Sequence, residues 1–158
     1  MIITKPFTRA SRRSAPWLAV IFSLIMLTSC APGESSSSLQ MLSADALPAQ
    51  IRTAPAVVVD AYRYAVANPD MLTQVPCYCG CDSMGHQSNY ACYVSEVDSS
   101  GVPVYDIHAL GCSICVDITQ DVMRMHKEGK TLGEIRAAID EIYALYGPSN
   151  MPAPQEQP

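Results

Sequence analysis

Cys77, Cys79 and Cys81 stand at every second position behind Pro76 in "PCYCGCD", and Cys92, Cys112 and Cys115 complete a set of six thiols between the first and third helical segments of the chain. His86, His108 and Met84 fall in the same window. Three chemistries use such a set. Disulfides are one, since an even number of cysteines in an oxidising compartment commonly pairs, and six allow fifteen connectivities. The spacing makes this crowded: thiols at i and i+2 do not easily reach each other with disulfide geometry. Each member of "CYCGC" would need its own mate among Cys92, Cys112 and Cys115.

Metal ligation accounts for the spacing more directly. Alternating cysteines in an extended loop, with Gly80 letting the backbone curl, can turn several sulfurs toward one point. Cys112 and Cys115 lie one helical turn apart and can face that point together. A helix N-terminus also favours the thiolate a metal needs. Six thiolates exceed the four of a closed zinc site. Soft ligation of this kind selects Cu(I), Zn(II) or an iron–sulfur cluster. Cu(I) is the best fit, because sulfurs bridge ions and six can hold a cluster of roughly four; zinc is the alternative ion. His86 and His108 are further candidate ligands. Each is equally at home as a donor orienting a thiolate or as a hydrogen-bonded loop residue.

The third chemistry is thiol redox. "CSIC" at a helix start is the arrangement that activates the first thiol of dithiol oxidoreductases, and it is equally a metal half-site. Val116 follows Cys115, so covalent haem attachment is not supported. His126, roughly 20 Å along the helix from Cys112, is expected as a solvated residue. Met123 and Met125 are expected to pack, which leaves Met84 as the methionine to consider for copper. No Ser/His/Asp set, phosphate loop or pair of catalytic carboxylates stands out, and no catalytic residue is expected.

The N-terminal residues read as an address. Lys5, Arg9, Arg12 and Arg13 precede an uncharged run from Trp17 to Leu27, too short for a mature span and suited to a signal h-region. The run ends in Leu27-Thr28-Ser29-Cys30, which resembles a bacterial lipobox with Cys30 as the lipid attachment site. Arg12-Arg13 raises twin-arginine export, but "SRRSAPW" lacks the apolar residues that should follow closely. The expected organisation is a lipoprotein signal over 1–29, a lipidated cysteine and flexible linker over 30–52, one Cys-rich domain over 53–147 and a disordered tail over 148–158. A domain of that size is marginal without covalent or metal staples. Membrane attachment through the lipid, on the periplasmic or extracellular face, follows from this reading.

The whole chain carries 10 basic and 15 acidic residues; setting aside the four basic residues of the signal leaves six against fifteen, a net charge of −9. Such a surface repels nucleic acid and anionic lipid.

The elements that must position the thiols form a mostly α domain: about three helices, a short β-hairpin and irregular Cys-rich loops. "TAPAVVVDAYRYAVANPD" predicts a helix with Thr53 as cap, Pro55 in its first turn and Asn68-Pro69 as its stop. Val58, Tyr62 and Ala65 share its apolar face. "NYACYVSEV", "DSSG" and "VPVYDI" predict the hairpin. A second helix starts near Gly111-Cys112 and ends at Gly129. Thr131 and Glu134 form a capping box for a third, with Leu132, Ile135, Ile139 and Ile142 as its buried stripe.

"VPCYCGC", "GHQSNYACYV" and "HALGCSICVDITQDVMRMHKEGKTLGEIRAAIDEIY" together resemble the bacterial PCYCGC-motif lipoprotein family, over about Ala61 to Tyr146. The resemblance puts Cys77, Cys79, Cys81, His86, Cys92, His108, Cys112 and Cys115 among that family's characteristic residues, and implies a lipid-anchored module of metal-binding type. A fainter similarity links the Cys-x-x-Cys loop and "EGKTLGEIRAAIDEIYALYG" to the small helical thiol domain of cytochrome c maturation, whose dithiol reduces apocytochrome; the four further cysteines here depart from it. The expected function is soft-metal buffering, delivery or resistance, with a copper-delivery protein as partner. Thiol–disulfide redox through Cys112 and Cys115, or a disulfide-stapled binding domain, are the alternatives.

Overall fold

Apolar residues at helical spacing build the scaffold from both ends of the described chain, which in this computed structural model covers residues 38–153. The segment read as a signal, Cys30 read as a lipid site, and the "APGESSSS" spacer up to Ser37 lie outside the described residues. A 3-10 turn over Ala44–Ala46 leads into a single-turn α1, Ala49–Arg52, which packs on α2, Ala56–Ala67. Leu47 and Ile51 are buried, and Leu42 N–H donates to the Arg63 carbonyl. Residues 38–52, expected as linker, are thus part of the packed unit, because "LSADALPAQI" carries two apolar anchors that need cover. Thr53 ends α1 rather than capping α2, whose N-cap is Pro55.

The α2 face of Val58, Tyr62 and Ala65 is buried as its periodicity predicts, with Ala61 and Tyr64 added. Asn68 ends the helix and Pro69 opens a single turn, α3, Pro69–Leu72. The "PCYCGCD" loop follows. It turns at Gly80 (φ 78°) and Gly85 (φ 87°), the left-handed region that glycine enters without steric cost. Two 3-10 turns, Cys81–Met84 and Tyr90–Cys92, carry the chain into the hairpin.

That hairpin is β1, Val94–Val97, antiparallel to β2, Pro103–Tyr105, with Val94 opposite Tyr105 and a bulge between Val94 and Glu96. The Asp98 carboxylate accepts from the N–H groups of Ser100 and Val102 to close its turn. A short α4, His108–Gly111, precedes α5, Ser113–Lys127, with Cys112 at the junction as N-cap. Gly129 (φ 79°) ends α5 as expected. The capping box at Thr131 and Glu134 forms and starts α6, Leu132–Tyr143.

Helix α5 packs between α2 and α6. Its Val116, Ile118, Val122 and Met125 meet Ile135 and Ile139 of α6 and the tyrosine-rich face of α2. The α6 stripe departs from expectation at its far end. Ile142 is 42% exposed, while Tyr143 and Arg136 are buried instead. Tyr143 donates to the Asp121 carboxylate on α5, and Arg136 spans from Asp140 to the carbonyls of Gln74 and Pro152. The last of these bonds draws in the C-terminal segment. Residues 148–153, expected as disordered tail, lie against the cysteine loop, and Gly147 lets the chain pass where an added Cβ would sit 2.9 Å from the Tyr78 carbonyl oxygen. Among the described residues no helix is long and apolar enough to cross a membrane.

Candidate metal centre

Three separate pieces of chain deliver the thiols: the "PCYCGCD" loop, the turn before β1 and the first turn of α5. All six described cysteines are free. Their sulfurs form one continuous cluster. Cys115 Sγ sits at its centre, 3.2 Å from that of Cys92, 3.3 Å from Cys77, 3.4 Å from Cys112 and 3.5 Å from Cys79. Cys77 and Cys79 are 3.4 Å apart, and Cys81 reaches Cys92 at 3.9 Å. The convergence expected from the spacing is therefore present, and no disulfide forms among the described residues.

Both candidate histidines join the cluster. His108 Nε2 lies 3.5 Å from Cys79 Sγ, and the His86 and His108 rings meet edge to face at 5.1 Å. Donor atoms within 4.8 Å of one another form overlapping sets: Cys79, His108, Cys112 and Cys115; Cys81, His86, Cys92 and His108; Cys77, Cys79 and Cys81; Cys77, Cys92 and Cys115. These Cys/His groups are arranged so that they can hold a metal ion. Met84 is 54% exposed and offers nothing to the cluster. Met125 packs in the core as expected. His126 is no ligand, yet neither is it simply solvated: its Nδ1 meets the Tyr64 hydroxyl at 2.7 Å.

His86 supplies a direct test of fit. Its Nε2 faces Asp106 Oδ2 at 3.3 Å. A carboxylate only accepts, so Nε2 donates to it, and in the neutral ring Nδ1 is left as an acceptor. That Nδ1 is buried without a hydrogen-bond partner. An orphaned buried acceptor ordinarily costs about 1–3 kcal/mol, and a cation among the neighbouring sulfurs would satisfy it. The carboxylate–histidine pair matches the arrangement that orients metal-ligating histidines.

Polar residues that the sequence did not single out hold this geometry. Asp106 Oδ1 also accepts from the His108 N–H, and its carbonyl accepts from the Tyr62 hydroxyl, so one residue positions both histidines. The Cys115 carbonyl accepts from Asn89 Nδ2 and the Tyr93 hydroxyl, with Thr119 bonded to both of those side chains. Asn150 brackets the loop: Oδ1 accepts from the Cys77 N–H, Nδ2 donates to the His86 carbonyl, and the same amide approaches Cys81 Sγ at 3.8 Å. The signal for Asp106 was present in "YDIHALGC", two residues before His108. Asn150 lies 73 residues from Cys77 and left none.

Mutual contact splits the thiol acidities. Cys77 is held far below the ordinary thiol value by the hydrogen bonds of Cys115 and Cys92, and Cys81 is lowered to about 7, chiefly by Cys92. Cys92 and Cys115 are pushed up by donating within the cluster, and Cys79 is pushed up by burial. Negative charge thus collects on Cys77 and Cys81, while Cys79, Cys92 and Cys115 hold their protons more tightly than a free thiol.

A family of proteins of unknown function defined by the PCYCGC motif matches residues 33–155, and the chain belongs to it. No curated protein and no solved structure matches the chain.

Proposed function

We propose that this protein is a lipid-anchored, outward-facing lipoprotein that binds a soft metal, Cu(I) above all, in its six-thiol cluster for buffering, delivery or resistance, without turnover of an organic substrate. The observation that carries the reading is the continuous packing of six free sulfurs around Cys115, beside the unpartnered Nδ1 of His86. One tetrahedral zinc ion with Zn–S bonds of about 2.3 Å uses four donors. The donor sets here overlap through Cys77, Cys79, Cys81, Cys92, Cys115 and His108, which suits sulfurs that bridge several ions. The lipid anchor rests on the Leu27-Thr28-Ser29-Cys30 sequence.

Anaerobic titration of the full-length chain with Cu(I) and, separately, Zn(II), against a competing chelator, tests the metal. The reading expects several Cu(I) per chain bound more tightly than Zn(II). Preference for one or two zinc ions would replace copper with zinc, and no binding of either would end the reading. Membrane fractionation of Cys30→Ser tests the anchor, which predicts release of the chain from the membrane.

Thiol–disulfide exchange is the second reading, favoured by Cys112 lying partly exposed at the α5 start, 3.4 Å from Cys115. It expects disulfide reductase activity that is lost in Cys112→Ser and kept in Cys81→Ser.

A further inference from the structure

Burial divides the cluster into two ends. Cys77, Cys92 and Cys115 are 0% exposed and Cys81 is 2% exposed, whereas Cys79 and Cys112 are partly exposed. Cys112 stands at the N-terminal junction of α5, its Sγ 3.4 Å from the central sulfur of Cys115. A surface groove of about 270 Å³ opens on it, lined by Val57, Leu110, Gly111, Val116 and Asp117. The donor set at this end, Cys79, His108, Cys112 and Cys115, has only Cys115 buried, while the set of Cys77, Cys92 and Cys115 is wholly buried. Cys115 belongs to both, so it links the outer end to the inner one.

We infer that Cys112 is the exchange ligand of the cluster, the thiol through which a soft cation carried on a thiolate enters from the groove and leaves again. The inference rests on the soft-metal reading above. Exchange is associative and leaves oxidation states unchanged. The Cys112 thiol loses its proton to solvent as Sγ bonds the ion, the bond from the ion to the carrier thiolate breaks, and that thiolate takes up a proton. The ion then bonds Cys115 Sγ as that thiol's proton leaves to solvent, and the bond to Cys112 breaks with Cys112 taking a proton back. The ion passes inward, where Cys77 and Cys92 lie 3.3 and 3.2 Å from Cys115. The groove is what gives a carrier access, since the buried sulfurs offer none. Two half-exposed ligands, Cys79 and His108, flank the same end and stabilise the ion in passage.

The test loads the full-length chain and its Cys112→Ser and Cys92→Ser variants with Cu(I) anaerobically, then follows transfer to glutathione. Cys112→Ser is expected to keep most of its copper and to transfer it markedly more slowly than the parent chain. Cys92→Ser is expected to lose copper capacity instead. Transfer from Cys112→Ser at the unmodified rate, or loss of its whole copper load, would overturn the inference. Alkylation of the metal-free chain, read by peptide mass spectrometry, needs no copper. Cys112 should react first among the six, and earlier reaction of Cys77, Cys92 or Cys115 would overturn it. A wild-type chain that takes up no copper while Cys112 still reacts first would defeat the soft-metal reading instead.

Discussion

Asn150 and Cys77 exchange a pair of hydrogen bonds: the Cys77 N–H donates to Asn150 Oδ1 at 2.7 Å, and the Asn150 N–H donates to the Cys77 carbonyl at 3.1 Å. The chain's last described residues therefore close over the first cysteine of the motif. Asn150 Nδ2 extends the clasp to the His86 carbonyl at 2.9 Å.

Replacing Asn150 with Ala removes both side-chain bonds and leaves the Cys77 N–H and His86 carbonyl without them. The expected cost is about 1–3 kcal/mol, seen as a lower thermal midpoint of the metal-free chain. Cys77 should also become alkylated faster while Cys112 does not. Unchanged stability together with unchanged Cys77 reactivity would show that the clasp does not hold the loop.

Asp106 accepts from His86 Nε2 and from the His108 backbone N–H at once. Asp106→Ala is expected to weaken metal binding by about 10–100-fold. Asp106→Asn keeps an acceptor and should lose less. Competition titrations of the two variants measure the order, and equal affinities for both variants and the parent would show that the carboxylate does not tune the site.

Alkaline pH should unfold the domain for a reason separate from metal. Burial raises the phenols of Tyr62, Tyr64 and Tyr93 above their ordinary value of 10.0, and burial with the Asp140 contact raises Tyr78 to about 12. These groups keep their protons in the fold and lose them sooner in the unfolded chain. The stability they confer is fully present below pH 10 and is lost as pH rises through the folded values. Thermal unfolding followed across that range should show a falling midpoint, with phenolate absorbance from these residues appearing together with unfolding. Ionisation of all tyrosines near pH 10 in a folded chain would contradict the burial.

Local signals made much of this molecule legible. Glycine at a left-handed turn, a threonine–glutamate capping box and the apolar spacing of α2 each act within a few residues, and each forms as read. Convergence of the thiols was also legible, because "CYCGC" and the helix-start Cys-x-x-Cys constrain where sulfurs can point. What escaped depends on partners far away in sequence. Arg136 is buried by partners as distant as Gln74 and Pro152, while Ile142, expected in the buried stripe, is exposed. The segment over 30–52 reads as a flexible linker, yet Leu47 and Ile51 within it are buried with the α2 face. Proline-rich composition after Gly147 suggested disorder, but Asn150, through its side-chain amide and its backbone N–H, ties that segment to the motif loop.

The central claim is that six reduced thiols hold a soft metal. The direct measurement is elemental analysis with thiol counting on the full-length chain, purified anaerobically from cells supplied with copper and zinc. The account predicts copper bound to the chain, with Cys77, Cys79, Cys81, Cys92, Cys112 and Cys115 reduced and protected from alkylation until the metal is removed. A chain that carries no metal, with these cysteines joined in disulfides, would contradict it.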